Sequence, residues 1–149
     1  MSKYRYNNIL LTGAAGALGE QLRKTLSENC NILKISDKEK LFKKFENEEV
    51  NQADLSSAEA MIDLTKNIDC VVHMGGQSIE GSWSNVLNSN IIGMYNLYEG
   101  CRKNSVKRVI WASSVHTVGF YPRSEIIDSK VLPRPDSNYG LSKVFGESL

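Results

Sequence analysis

Short apolar runs alternate with longer amphipathic stretches along the whole chain. Ile9–Thr12 is a short apolar run that ends at glycines. Ala17–Asn29 follows with Leu18, Leu22 and Leu26 at a helical spacing of four. Asn31–Ser36 reads as a strand, Asp37–Glu49 as charged and partly helical, and Val50–Ala53 as a short, weak strand. Ser56-Ser57-Ala58-Glu59 has the spacing of a capping box, with the Ser56 hydroxyl accepting the Glu59 amide, and predicts a helix to about Lys66. Ile68–Met74 is a buried strand, Ser84–Asn104 a long helix and Lys107–Ala112 another buried strand. Residues 113–137 hold all three prolines and read mostly as loop, and Ser137–Leu149 begins a new helix.

Near-continuous apolar strands alternating with helices imply a parallel sheet covered on both faces. Right-handed crossovers then predict an α/β, Rossmann-type doubly wound sheet in the order 3-2-1-4-5. The last helix runs to Gly146-Glu147-Ser148-Leu149 with no C-cap glycine, proline or following strand. That pattern is expected of a fold truncated after the helix carrying Tyr139 and Lys143. Residues 1–149 are accordingly read as one dinucleotide-binding domain, incomplete, with its C-terminal substrate-binding part absent.

Composition narrows the function classes. The 149 residues are 41% hydrophobic, which supports one core. Eighteen basic and seventeen acidic side chains leave a net charge of +1, so neither nucleic acid nor an anionic membrane is an expected partner. The apolar runs are far short of a membrane span. Residues 1–8 are basic and aromatic, but Ile9–Leu11 runs straight into a glycine loop, leaving no signal-peptide core. Cys30, Cys70 and Cys101 lie far apart without CxxC or histidine pairing, against a disulfide framework or a metal site and for a reducing, cytoplasmic location.

The first strand leads into Thr12-Gly13-Ala14-Ala15-Gly16-Ala17-Leu18-Gly19, a GxxGxxG spacing between a strand and a helix. Gly13 permits the tight turn, Gly16 lets backbone approach a pyrophosphate, and Gly19 lets the helix pack closely on the sheet. Asp37 ends the second strand, where a carboxylate accepts from both adenosine ribose hydroxyls and repels a 2′-phosphate, which favours NAD over NADP. Asp54-Leu55 either flanks the adenine or begins the next helix. After the fourth strand, Gly75 and Gly76 are small enough for a cofactor to pass over the sheet edge. His73 reads as a packed strand histidine. Tyr139 and Lys143 are four apart on one helical face, where an ammonium supports a phenolic base. Ser113 and Ser114 follow the fifth strand at the edge where such sheets bind ligands.

Thr12–Gly19, Asp37, Asp54, Asn90-Ile91-Ile92-Gly93, Ser113-Ser114 and Tyr139-x-x-x-Lys143, taken in order, resemble the extended short-chain dehydrogenase/reductase family, also called the NAD-dependent epimerase/dehydratase family. Within it, residues 76–81, Asn90–Tyr98, His116–Pro122 and Arg134–Gly140 look like the members that oxidise uronic acids. The resemblance implies Tyr139 as base, Lys143 on the nicotinamide ribose, Ser114 as substrate-orienting hydroxyl, and Ser78 and His116 as substrate contacts. It implies cofactor contacts from Gly13, Ala15–Gly19, Asp37, Asp54, Leu55, Gly75, Gly76, Asn90, Tyr139 and Lys143. The reaction implied is NAD-dependent oxidation of a hexuronic acid at the anomeric carbon to an aldarolactone. Val115 departs from the pattern, which has Asn between Ser114 and His116. Helices 84–104 and 138–149 correspond to the pair this family uses for a homodimer, although their apolar content also fits packing on the sheet. Competing readings are a nucleotide-sugar epimerase or dehydratase, and a non-catalytic NAD-binding or dimerising fragment.

Overall fold

A computed structural model describes residues 5–149. Five strands form one parallel sheet in the order β3-β2-β1-β4-β5: β1 Asn8–Thr12, β2 Ile32–Asp37, β3 Glu48–Gln52, β4 Cys70–His73 and β5 Arg108–Trp111. The expected sheet order is the observed one. Side chains of β1 alternate between two cores. Ile9 and Leu11 join Leu33, Ile35 and Val72 on one face, against Leu22 and Leu26 of α1 (Ala17–Ser27). Leu10 and Val71 face the other side, with Met61 and Leu64 of α2 (Ala58–Leu64) and Leu97 of α4 (Gly93–Lys103). Gly100 lets α4 cross α2 closely, since a Cβ there would lie 2.6 Å from the Met61 carbonyl oxygen.

The structure corrects the sequence reading in several places. Leu18 is not part of the apolar stripe of α1: it is 65% exposed. The cap of α2 shifts by one residue, with Ser57 accepting the Ala60 amide at 3.3 Å. Ser56 instead turns its hydroxyl to Asp54, and the helix ends at Leu64. The predicted long helix is interrupted: α3 (Trp83–Val86) passes through a π-helical turn at Leu87–Ile92 into α4. The 113–137 segment contains a short 3-10 turn, Val115–Val118, before α5 (Asn138–Glu147).

The segment between β2 and β3 is not helical, and β3 begins two residues earlier than predicted. Its organiser is a buried ion pair. Arg23, 2% exposed, donates Nε and Nη2 to Glu48 at 2.7 and 2.8 Å, and Nη2 to the Phe42 carbonyl at 2.7 Å. Glu48 also accepts the Lys44 and Phe45 amides. Burial pushes the Glu48 carboxyl up, but hydrogen bonds from Arg23 and those two amides outweigh it and hold the pKa below its ordinary value. The resulting stabilisation is fully present above the ordinary carboxylate pKa and is lost as pH falls through the depressed one. Glu48→Gln, which strands a buried guanidinium, is expected to cost about 3–5 kcal/mol in urea unfolding at neutral pH. A cost below about 1 kcal/mol would show that the pair is dispensable.

Candidate functional site

All five strands are parallel, so their carboxyl ends share one edge, and the Gly13–Gly19, Asp37, Asp54-Leu55, Gly75-Gly76 and Ser113-Ser114 segments stand at or just after those ends. A groove of about 700 Å³ runs along it. Every residue predicted for the cofactor between Gly13 and Gly76 lines this groove, and so does Ser78. The exposed Leu18 finds its place here too. Lys38, Glu39, Met74, Gln77, Asn88 and Ser89 also line it and were not anticipated, because nothing in their local sequence separates them from ordinary loop or helix residues.

The glycines divide by what they do. Gly13 has φ +71°, and a Cβ on it would lie 2.4 Å from the Gly75 nitrogen. A Cβ on Gly19 would lie 2.1 Å from the Gly13 carbonyl oxygen, so these two weld the turn to β4 and α1. Gly16 is different: a Cβ there would meet only that same oxygen, at 3.3 Å, and otherwise face open space. Gly16 is also the N-cap of α1 and offers no side-chain cap, so the first-turn amides remain for an external anion. Asp37 Oδ2 accepts the Ala15 amide at 3.0 Å and Oδ1 the Glu39 amide at 3.1 Å. Each carboxylate oxygen has a second lone pair, so the group retains capacity for a diol. Asp54 Oδ1 accepts from the Ser56 amide and hydroxyl at 2.8 and 2.7 Å, bonds that hold its carboxyl below the usual range. Asp54 thus both opens the path into α2 and lines the groove. These donors and acceptors fit a dinucleotide: bare amides toward a pyrophosphate, a fixed carboxylate toward a ribose.

Tyr139, Lys143, Ser114 and His116 lie outside the groove lining, on α5 and the loop after β5. Lys143 Nζ donates to the Ala112 carbonyl at 2.9 Å and stands 5.4 Å from the centroid of the Tyr139 ring and 4.8 Å from that of Trp111. Burial pushes the Lys143 pKa down. Ser114 Oγ accepts the His116 amide at 3.2 Å, leaving its O–H to donate. Asn90 sits in the π-helical turn and does not line the groove. Its amide accepts from the Gln77 nitrogen at 2.7 Å and donates to the Gln77 carbonyl and Ser142 Oγ, both at 3.0 Å. It therefore ties the groove rim to α5 between Tyr139 and Lys143. Glu80 makes a second tie, accepting the Tyr139 amide at 2.8 Å at the positive end of α5. His73 is the packed strand residue expected: its Nδ1 lies 2.6 Å from Thr12 Oγ1, and burial with the nearby Lys143 charge pushes its pKa down to about 3. Among the described residues no cluster of three or more His, Cys, Asp or Glu could hold a metal ion. None of the described helices is long and apolar enough to cross a membrane.

Residues 9–149 match the NAD dependent epimerase/dehydratase family. The chain belongs to that family. Among its relatives, the uronate dehydrogenase of Pseudomonas syringae pv. tomato is 44% identical over 145 residues, covering 97% of this chain and 53% of that protein. A crystal structure of a uronate dehydrogenase mutant from Agrobacterium tumefaciens, complexed with NAD, superposes with a TM-score of 0.92 at 42% identity, covering 95% of this chain and 54% of the other. A glucuronic acid dehydrogenase from Chromohalobacter salexigens gives the same TM-score at 45% identity, with 96% and 54% covered. The chain spans about half the length of the curated relatives it matches. The fold and the family thus stand on the whole matched segment.

Proposed function

We propose that this chain binds NAD in the groove and supplies the base for oxidation of a hexuronic acid at its anomeric carbon, yielding an aldarolactone. The observation that carries the reading is the placement of Tyr139 and Lys143 on one face of α5. Lys143 is anchored to Ala112 at the end of β5, and Asn90 fastens that helix to the groove. The similarity to uronate dehydrogenases supplies the substrate class.

NAD, when bound, accepts the hydride that leaves the anomeric carbon. The chain's own residues do the rest. Tyr139, as the phenolate, takes the proton of the anomeric hydroxyl and becomes the phenol, and the Lys143 ammonium beside it stabilises the phenolate from which the transfer starts. Ser114 donates its O–H to the substrate oxygen and orients it. First-turn amides of α1 hold the pyrophosphate, and Asp37 the adenosine ribose. Ser78 on the groove rim and His116 beside Tyr139 contact the sugar. The test is NADH formation with glucuronate and galacturonate by the protein expressed from its complete coding sequence. Turnover of nucleotide sugars with none of uronates would reverse the assignment.

Asp37 sets the cofactor preference. Asp37→Ala is expected to weaken NAD about 10-fold, the value of one or two lost hydrogen bonds, and to improve NADP by removing a like charge. Paired titrations with NAD and NADP check this. An unchanged ratio would remove Asp37 from the ribose site.

A further inference from the structure

The loop between β5 and α5 folds back so that two residues twenty positions apart meet beside Tyr139. Asp136 presents Oδ1 and Oδ2 to His116 Nδ1, each at 2.9 Å. The Asp136 amide reaches the His116 carbonyl oxygen. Space for that carboxylate is reserved by a glycine, since a Cβ on Gly119 would lie 2.0 Å from Asp136 Oδ2. On its other side the His116 ring meets the Tyr139 ring edge-on, with centroids 5.6 Å apart and planes at 75°. A Cβ on Gly140 would lie 2.4 Å from the His116 carbonyl oxygen, so the backbone of this turn rests directly on α5.

An ionised carboxylate only accepts hydrogen bonds, so Nδ1 carries the hydrogen whenever the His116 ring is neutral, and Nε2 is left with its lone pair. We propose that Asp136 is a positioning residue that fixes His116 as the Nδ1–H tautomer, so that Nε2 meets a sugar hydroxyl as a hydrogen-bond acceptor. The assignment rests on the uronate reading for the identity of the sugar, but not for the tautomer. It has a consequence for specificity. An acceptor beside Tyr139 selects a ring that carries a donating hydroxyl there, and a neutral acceptor offers nothing to a carboxylate. In that neutral form His116 therefore reads a hydroxyl.

Nitrogen-15 spectra of labelled histidine in mildly alkaline buffer read the tautomer directly, on the protein expressed from its complete coding sequence. The His116 signal is assigned by its loss in His116→Gln. The Nδ1–H tautomer is expected in the parent protein and is expected to be lost in Asp136→Asn, where Ser137 Oγ holds the amide oxygen and the NH2 donates to Nδ1. Asp136→Ala and Gly119→Ala are both expected to shift the ring toward Nε2–H, the second because its Cβ occupies the carboxylate's position. In turnover, Asp136→Ala and Asp136→Asn are both expected to raise KM for the sugar about 10-fold while KM for NAD stays constant. An Nε2–H ring in the parent protein would overturn the proposal, as would a tautomer indifferent to Asp136→Ala. So would an unchanged sugar KM despite an altered tautomer. The expected tautomers in a protein that turns over no uronate would uphold the pairing and remove the substrate reading instead.

Discussion

Tyr139→Phe is expected to lower kcat for uronate oxidation by about two to four orders of magnitude, the range over which a positioned general base contributes. Dissociation of NAD from the same variant is expected to stay within about twofold of the parent, because the pyrophosphate and adenosine-ribose contacts proposed for the groove do not involve the phenol oxygen. The substitution is clean. Phe keeps the ring that packs edge-on against His116, and Glu80 holds residue 139 through its backbone amide, which every side chain leaves in place. Lys143 stays anchored on the Ala112 carbonyl whether or not the phenol is present. Loss of turnover with retained binding then isolates the proton transfer. Turnover within about tenfold of the parent would assign the base to another group.

The parts of this site readable in the sequence are those whose chemistry is local. A glycine pattern between a strand and a helix, a carboxylate at the end of the next strand, and Tyr139 with Lys143 one helical turn apart each declare themselves within a few residues. Parallel strands then bring the glycine loop and Asp37 to one groove without further information, whereas Tyr139 and Lys143 stand on α5 outside its lining. What the sequence hides depends on distant partners. Arg23 and Glu48 look like two ordinary surface charges, yet they meet across 25 positions and organise a segment read as partly helical from its charge. Asn90 falls within a stretch read as one continuous helix, and its partner Ser142 lies 52 positions away. Asp136 sits among prolines and serines, where an acid is usual in turns, and only the returning loop gives it His116. The capping box failed for a local reason: adjacent serines offered two caps, and Asp54 took one of them.

The glycine loop offers the second large effect, and it separates scaffold from binding surface. Gly13→Ala places a side chain at φ +71° and 2.4 Å from the backbone of β4's exit, with no flexible atom to give way. Left-handed strain and overpacking together are expected to cost about 3 kcal/mol or more, and Gly19→Ala, against the Gly13 carbonyl, a similar amount. In both variants the groove itself is distorted, so NAD affinity falls along with the melting temperature. Gly16→Ala is expected to behave otherwise. Its methyl group meets one oxygen at 3.3 Å and otherwise enters open space at the mouth of the groove. Stability should change by less than about 1 kcal/mol, while NAD binding weakens about tenfold or more because the pyrophosphate no longer reaches the first-turn amides of α1. Thermal melts paired with NAD titrations across the three variants decide the matter. If Gly16→Ala kept full affinity, the anion would have to be held by something other than the start of α1.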